Sequence, residues 1–357
     1  MQTIDLDDLD AITLGATLLG NGGGGDPYQA KLMAHQAIQD FGPIRLAQLD
    51  ELPDDALLVT IAVLGAPTVI IEKIPSGQLY ADAVRSLASF LGKEIAGIMP
   101  VEVGGMNTLV PLMVAAELGL PCIDADGMRR AFPQIEMTVF TLAGISASPV
   151  SLADEHGNIV IVNAKTNQIA EKLIRTSAMN LGLANSFASY SMTVAQAKSA
   201  AIHGSVTYAT EVGRLLRGIQ QGAMSWDDLY AFTGGRSLFE GKIVDLDRRT
   251  TSGFARGTVV IEAFANSATT MRIEIQNEML LAMEDGRTVL TPPDLICMVD
   301  YETSEPITTE QLAYGQRVRV IGMPCAPEWH REGMLDVVGP AAFGYDVDYI
   351  PFEGGNK

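Results

Sequence analysis

The chain has 357 residues, 47% of them hydrophobic, a formal charge of −19 and a mean hydropathy of +0.19. That length allows two domains with a core each, while no stretch reaches the roughly 20 uninterrupted apolar residues of a membrane span. The negative charge, with no basic run longer than Arg129-Arg130 or Arg248-Arg249, disfavours nucleic acid as a partner.

The acidic start, Met1 to Asp8, has neither the basic nor the apolar region of a signal peptide. Leu9, Ile12, Leu14 and Leu18-Leu19 predict a helix over Asp7 to Gly20, stopped by Asn21 and four glycines. Asp26 is the candidate N-cap, with Pro27 at the first position, of a second helix to about Gln39. An α/β alternation follows: a strand at Ala56 to Val63, a helix from Gln78 to Leu91, a strand at Glu94 to Val101, a helix from Asn107 to Leu118 and a short strand at Pro121 to Asp124. Strands apolar on both faces and alternating with helices predict a Rossmann-like parallel sheet covered on both sides.

Further on, Gly157 to Val162 reads as a hairpin strand, Asn167 to Leu181 as an amphipathic helix and Val194 to Ile219 as one long helix. From Gly241 short strand candidates follow one another: Lys242 to Asp247, Thr258 to Ala265, Met271 to Gln276, Met279 to Met283, Asp294 to Val299 and Gln316 to Ile321. The expected organisation is an α/β domain over 1–235, with a mixed insertion at about 135–193, and a β-rich domain over 236–357. Cys122, Cys297 and Cys325 show no CxxC spacing, which gives neither a disulfide framework nor a zinc motif and fits a reducing, cytoplasmic location.

Three segments attract a chemical reading. Asn21, Gly22, Gly23, Gly24 and Gly25 can expose backbone N–H groups to an anion, or serve simply as a link between helices. With a helix in front and no Walker lysine, nucleotide binding is not expected. Glu102-Val-Gly104-Gly105-Met-Asn107 falls at the carboxyl end of a strand, where open α/β sheets bind ligands. There Glu102 is a candidate base or metal ligand and Asn107 either a substrate contact or a plain N-cap. Asp124 and Asp126 end the next strand, so with Glu102 they are candidates for a divalent cation or a proton-transfer pair, or Asp126 is a cap. Arg129 is a candidate clamp for a substrate carboxylate.

Of the histidines, His35 and His156 have no catalytic neighbour, and His203 reads as a cleft residue or an ordinary one. Cys325 and His330 invite a thiol–imidazole reading without a local nucleophile signature.

Several segments together resemble the S-methyl-thiohydantoin desulfurase family, associated with hydantoinase/oxoprolinase proteins. They are Leu18 to Tyr28, Glu102 to Asn107, Leu120 to Gly127 with Arg129 to Pro133, Gly253 to Gly257, Pro292 to Ile296, and Val338 to Asp346. The resemblance runs from about residue 8 to residue 350. It implies two family domains and an activity on a thiohydantoin or hydantoin-like ring, as in ergothioneine breakdown; a second reading is a ligand-binding subunit of a hydantoinase/oxoprolinase-like partner. Desulfurisation needs an activated water, a stabiliser for the tetrahedral centre and an acid for the sulfur. Glu102, Asp124 or Asp126, and the glycine N–H groups are the candidates for those roles. A small-molecule substrate and a homo-oligomer complete the expectation.

Overall fold

The structure, a computed structural model, describes residues 2–25, 27–65, 69, 72, 78–251 and 254–354, so the capping role assigned to Asp26 lies outside the described residues. The N-terminal part is built on an eight-stranded mixed sheet. Its strands are β1 (Gln2–Ile4), β2 (Ile44–Ala47), β3 (Leu57–Gly65), β4 (Gly97–Pro100), β5 (Cys122–Ile123), β7 (Val150–Ala153), β8 (Ile159–Val162) and β9 (Ala184–Thr193), in the order β1-β2-β5-β4-β3-β9-β7-β8. The short β6 (Ala125–Asp126) pairs elsewhere.

The centre, β2-β5-β4-β3, is parallel, as the unbroken apolar runs predict. The segment read as a mixed insertion supplies β7, β8 and β9, which extend the same sheet antiparallel from β3.

Helices α1 (Leu6–Leu19), α2 (Pro27–Phe41), α3 (Gln78–Leu91) and α4 (Leu109–Leu118) fall where the periodicity places them. They are followed by α5 (Val139–Leu142) and α6 (Asn167–Asn180). The predicted single helix over Val194 to Ile219 is two helices, α7 (Val194–Ala200) and α8 (Ser205–Gln220). Between them Ile202 and His203 form β10, paired with Asp126 and Ala125 of β6, and Gly204 turns the chain at φ +70°. The apolar pattern continues across this break, so periodicity alone does not reveal it.

After α9 (Trp226–Thr233) the chain forms a seven-stranded antiparallel sheet. Its strands are β11 (Arg236–Thr251), β12 (Phe254–Ala263), β13 (Thr270–Gln276), β14 (Glu278–Glu284), β15 (Arg287–Leu290), β16 (Leu295–Asp300) and β17 (Arg317–Met323), in the order β15-β14-β13-β12-β11-β17-β16. A hydrophobic cluster of its own, including Ile243, Ile261, Ile273, Met279 and Val320, fills this sheet.

Two glycines fix the helical frame. A Cβ on Gly15 of α1 would sit 1.8 Å from the Ala209 carbonyl oxygen, and one on Gly213 of α8 would sit 1.7 Å from that of Ala11. The two helices therefore touch backbone to backbone, a closeness that only glycine permits. This crossing fixes the C-terminus of α1, and with it the glycine loop.

Candidate active site

The parallel strands bring their carboxyl ends together, and the loops there form a cleft. Val63, Leu64 and Gly65 end β3, Glu102 follows β4, and Gly23, Gly24 and Gly25 enter from the end of α1. Phe132, Pro133 and Arg175 close one side, and the C-terminal part contributes Asn277 and Glu278, where β13 turns into β14, and Glu310 from the loop after residue 300. A second hollow continues behind Glu102, Asn107 and Phe132 towards Ile135 and Phe187.

Glu102 is 6% exposed. Its Oε1 accepts a hydrogen bond from Asn107 Nδ2 at 2.6 Å and its Oε2 a longer one from the Phe132 backbone N–H at 3.4 Å. Burial pushes its pKa up to about 7, against the opposing pull of those two donors. Asn107 does not cap α4, which starts at Leu109. Its Oδ1 accepts from the Val63 N–H at 2.8 Å, so one amide ties the end of β3 to the Glu102 carboxyl.

Glu278 opens β14 and is 2% exposed. Burial, and then the Glu102 charge, drive its pKa well above the ordinary carboxylate range, while Arg130 opposes. Arg130 is fully buried, donates from Nη1 to the carbonyls of Pro293 (2.6 Å) and Asp294 (3.0 Å), and lies over the Phe132 ring. Glu310 shares the cleft and is also raised by burial.

The glycine loop has two tasks. Asn21, at φ +55°, donates from Nδ2 to the Met279 carbonyl at 2.6 Å, and its own carbonyl accepts from the Met279 N–H. The Gly22 carbonyl accepts from both the N–H and the hydroxyl of Thr309. These two residues dock the C-terminal sheet, and Gly23 to Gly25 line the cleft. Gly104 and Gly105 sit behind that loop: a Cβ on Gly105 would be 2.4 Å from the Gly24 carbonyl oxygen, and the Met106 N–H donates to that same oxygen.

Asp124 and Asp126 are elsewhere, with their oxygens occupied. Asp124 accepts from the N–H groups of Val206 and Thr207 at the start of α8, from the Thr207 hydroxyl and from Gln48 Nε2. Asp126 accepts from the N–H groups of Val103 and Arg129 and from the Ser205 hydroxyl. Burial raises its pKa to about 6 against those donors. The expected convergence of Glu102, Asp124 and Asp126 on a divalent cation therefore does not occur. Among the described residues no group of three or more His, Cys, Asp or Glu is placed to hold a metal ion.

Arg129 donates to the His203 carbonyl and stacks on Tyr208, outside the cleft residues, so the cleft arginine is Arg175. Cys325 Sγ lies 3.8 Å from His330 Nε2, yet burial and then the Asp294 charge push that thiol up, away from thiolate. His35, His156 and His203 line none of this cleft.

Residues 7–164 match the S-Me-THD-like N-terminal domain and residues 165–352 the S-Me-THD-like C-terminal domain. The chain belongs to the S-Me-THD-like family. Its fold is also that of a solved protein from Chromobacterium violaceum, with a TM-score of 0.81 and 25% identity over 98% of this chain and 100% of that one. No curated protein matches. Among the described residues no helix is long and apolar enough to cross a membrane.

In this S-Me-THD-like chain, sequence reasoning misses Glu278, Glu310, Phe132 and Arg175. Gln276-Asn277-Glu278 reads as an ordinary polar turn between two apolar strands, and nothing local signals that the turn is buried against the N-terminal glycine loop. Arg175 lies on an amphipathic helix, where an arginine is normally a solvated residue.

Proposed function

We propose that this chain hydrolyses the carbon–sulfur bond of a thiohydantoin-like five-membered ring, with Glu102 as general base. The observation that carries the reading is a buried carboxyl with a pKa of about 7, held by Asn107 in a cleft at the carboxyl ends of the parallel strands. A carboxyl raised in this way is a stronger base than an ordinary one and can take a proton from an attacking water near neutral pH.

In this scheme water oxygen bonds to the ring carbon as Glu102 takes one of its protons, and the C=S pair moves onto sulfur. The tetrahedral centre then re-forms a carbonyl and expels sulfur, so that C=S and water become C=O and hydrogen sulfide. Membership of the S-Me-THD-like family and a cleft wide enough to admit water beside Glu102 support the reading. Arg175, on the cleft wall, is held by Glu171 and the Pro133 carbonyl and adds positive charge to that side of the cleft.

The test replaces Glu102 by Gln, which keeps the oxygen that accepts from Asn107, and measures sulfide release from a thiohydantoin. A fall of about 10²–10⁴-fold in kcat is expected, with ring binding retained. Unchanged turnover by the folded variant contradicts the role of Glu102. A wild-type chain that binds such rings and never releases sulfide favours the binding-subunit reading.

A further inference from the structure

A departing sulfur needs a proton, and the same cleft holds a second carboxyl whose placement is unusual. Glu278 reaches from the first position of β14 onto the glycine loop, where a Cβ on Gly23 would lie 2.1 Å from its Oε1 and 2.6 Å from its Cδ. The carboxyl thus rests on the bare Cα of Gly23. Its Oε2 is buried and has no hydrogen-bond partner. A buried carboxylate oxygen left so is costly, whereas a protonated carboxyl offers a donor that a ligand in the cleft can take up. Gly23 itself has no positive φ, so the backbone does not require glycine there and the carboxyl does.

We infer that Glu278 is the proton donor to the leaving sulfur, and that residue 23 is glycine so that this carboxyl can seat against the loop beside Glu102. The assignment rests on the hydrolytic reading above. Two carboxyls buried in one site favour having one ionised and one protonated, since their like charges oppose joint ionisation. Burial and the Glu102 charge make Glu278 the protonated member.

The protons balance. Glu102 takes a proton from water as the C–O bond forms, and Glu278 gives its proton to the sulfur. As the C–S bond breaks with its electron pair going to sulfur, the hydroxyl proton of the tetrahedral centre passes to the Glu278 carboxylate. The proton on Glu102 leaves with the hydrosulfide as hydrogen sulfide, and both residues are reset. For a ring carrying an S-alkyl or S-aryl group, water attack moves the ring C=N pair onto nitrogen, which takes the proton held by Glu102. As the carbonyl re-forms and the C–S pair goes to sulfur, Glu278 protonates the thiolate and recovers the hydroxyl proton of the tetrahedral centre, so that the product is the corresponding thiol and both residues are reset.

A general acid matters most when the leaving group is a poor one. The experiment compares kcat/KM of wild type, Glu278→Gln and Glu102→Gln on S-methyl and S-(para-nitrophenyl) derivatives of the ring, whose thiolates differ widely in basicity. Glu278→Gln is expected to lose about 10²-fold or more on the S-methyl ring and less than about tenfold on the nitrophenyl ring. Glu102→Gln is expected to lose heavily on both.

If Glu278→Gln does not fold, Gly23→Ala, whose methyl displaces the carboxyl, is expected to show the same selectivity. Asp124→Asn, whose carboxyl lies outside the cleft, serves as the control and shows none. Equal losses on both rings, or none, overturn the assignment of Glu278 and leave that of Glu102 standing. Full activity of Glu102→Gln instead overturns the role of Glu102 as base, and a wild-type chain that releases no thiol from either ring overturns the hydrolytic reading itself.

Discussion

Two pairs of buried carboxylates lie near the ends of the parallel strands, and they differ in what their oxygens do. Asp124 and Asp126 between them accept from four backbone N–H groups, two hydroxyls and an amide, and hold α8 and the 101–103 turn in place. Glu102 and Glu278 are as deeply buried and far less satisfied: Glu102 has one short hydrogen bond and one long one, and Glu278 Oε2 has none. Acidity at a strand end is common to both pairs. Unspent hydrogen-bonding capacity facing a cleft is found only in the second, and it separates a candidate for chemistry from a brace for the fold.

Three substitutions break or sharpen that contrast. The largest effect is expected at the helix crossing that carries the brace. Gly213→Ala drives a methyl into the Ala11 carbonyl and should cost about 3 kcal/mol or more in denaturant unfolding; a loss under 1 kcal/mol shows that α1 and α8 separate easily.

Next, Asp124→Ala strips the start of α8 of its acceptor and leaves buried donors unpaired, an expected loss of about 2 kcal/mol. Its folded fraction should keep near wild-type kcat, and a catalytic collapse without loss of stability would place Asp124 in the chemistry rather than in the brace.

The smallest effect is a shift in pH dependence. The Glu102 pKa stands at about 7 against an ordinary 4.5, so kcat/KM should rise with pH through a limb near 7 as the base appears. The sign for stability is opposite: burial favours the protonated form, so the contribution of Glu102 to stability declines as pH rises from 4.5 through about 7. The Asn107 amide favours the anion, so Asn107→Ala should move the activity limb upward by about one pH unit. A limb unmoved in that variant assigns it to another group.

Much of the fold is legible in the sequence because it rests on local pattern. The apolar runs of β3 and β4 and the periodicity of α1, α3 and α4 fix a parallel centre, and alternation broken by turn residues reveals the C-terminal strands. The break at Gly204 is hidden because Ile202 and His203 continue a helix-compatible pattern while their pairing with Ala125 and Asp126 is non-local.

Half of the candidate site is legible for the same reason. Glu102 and Asn107 follow a strand directly, and the glycines announce an unusual backbone. Glu278 reaches the cleft only because Asn21 and Gly22 bind Met279 and Thr309, residues more than 250 positions away, a contact no local pattern encodes. The reading of Asp124 and Asp126 fails on one point: a carboxylate at a strand end gives no sign of how many donors the fold will aim at it.

The most direct measurement is sulfide release from a thiohydantoin by Glu102→Gln and Asp124→Asn, side by side at a temperature where both are folded. A fall of about 10²–10⁴-fold is expected for Glu102→Gln and a change within about threefold for Asp124→Asn. An active Glu102→Gln beside a dead, folded Asp124→Asn would contradict that expectation and move the chemistry to the other pair of carboxylates.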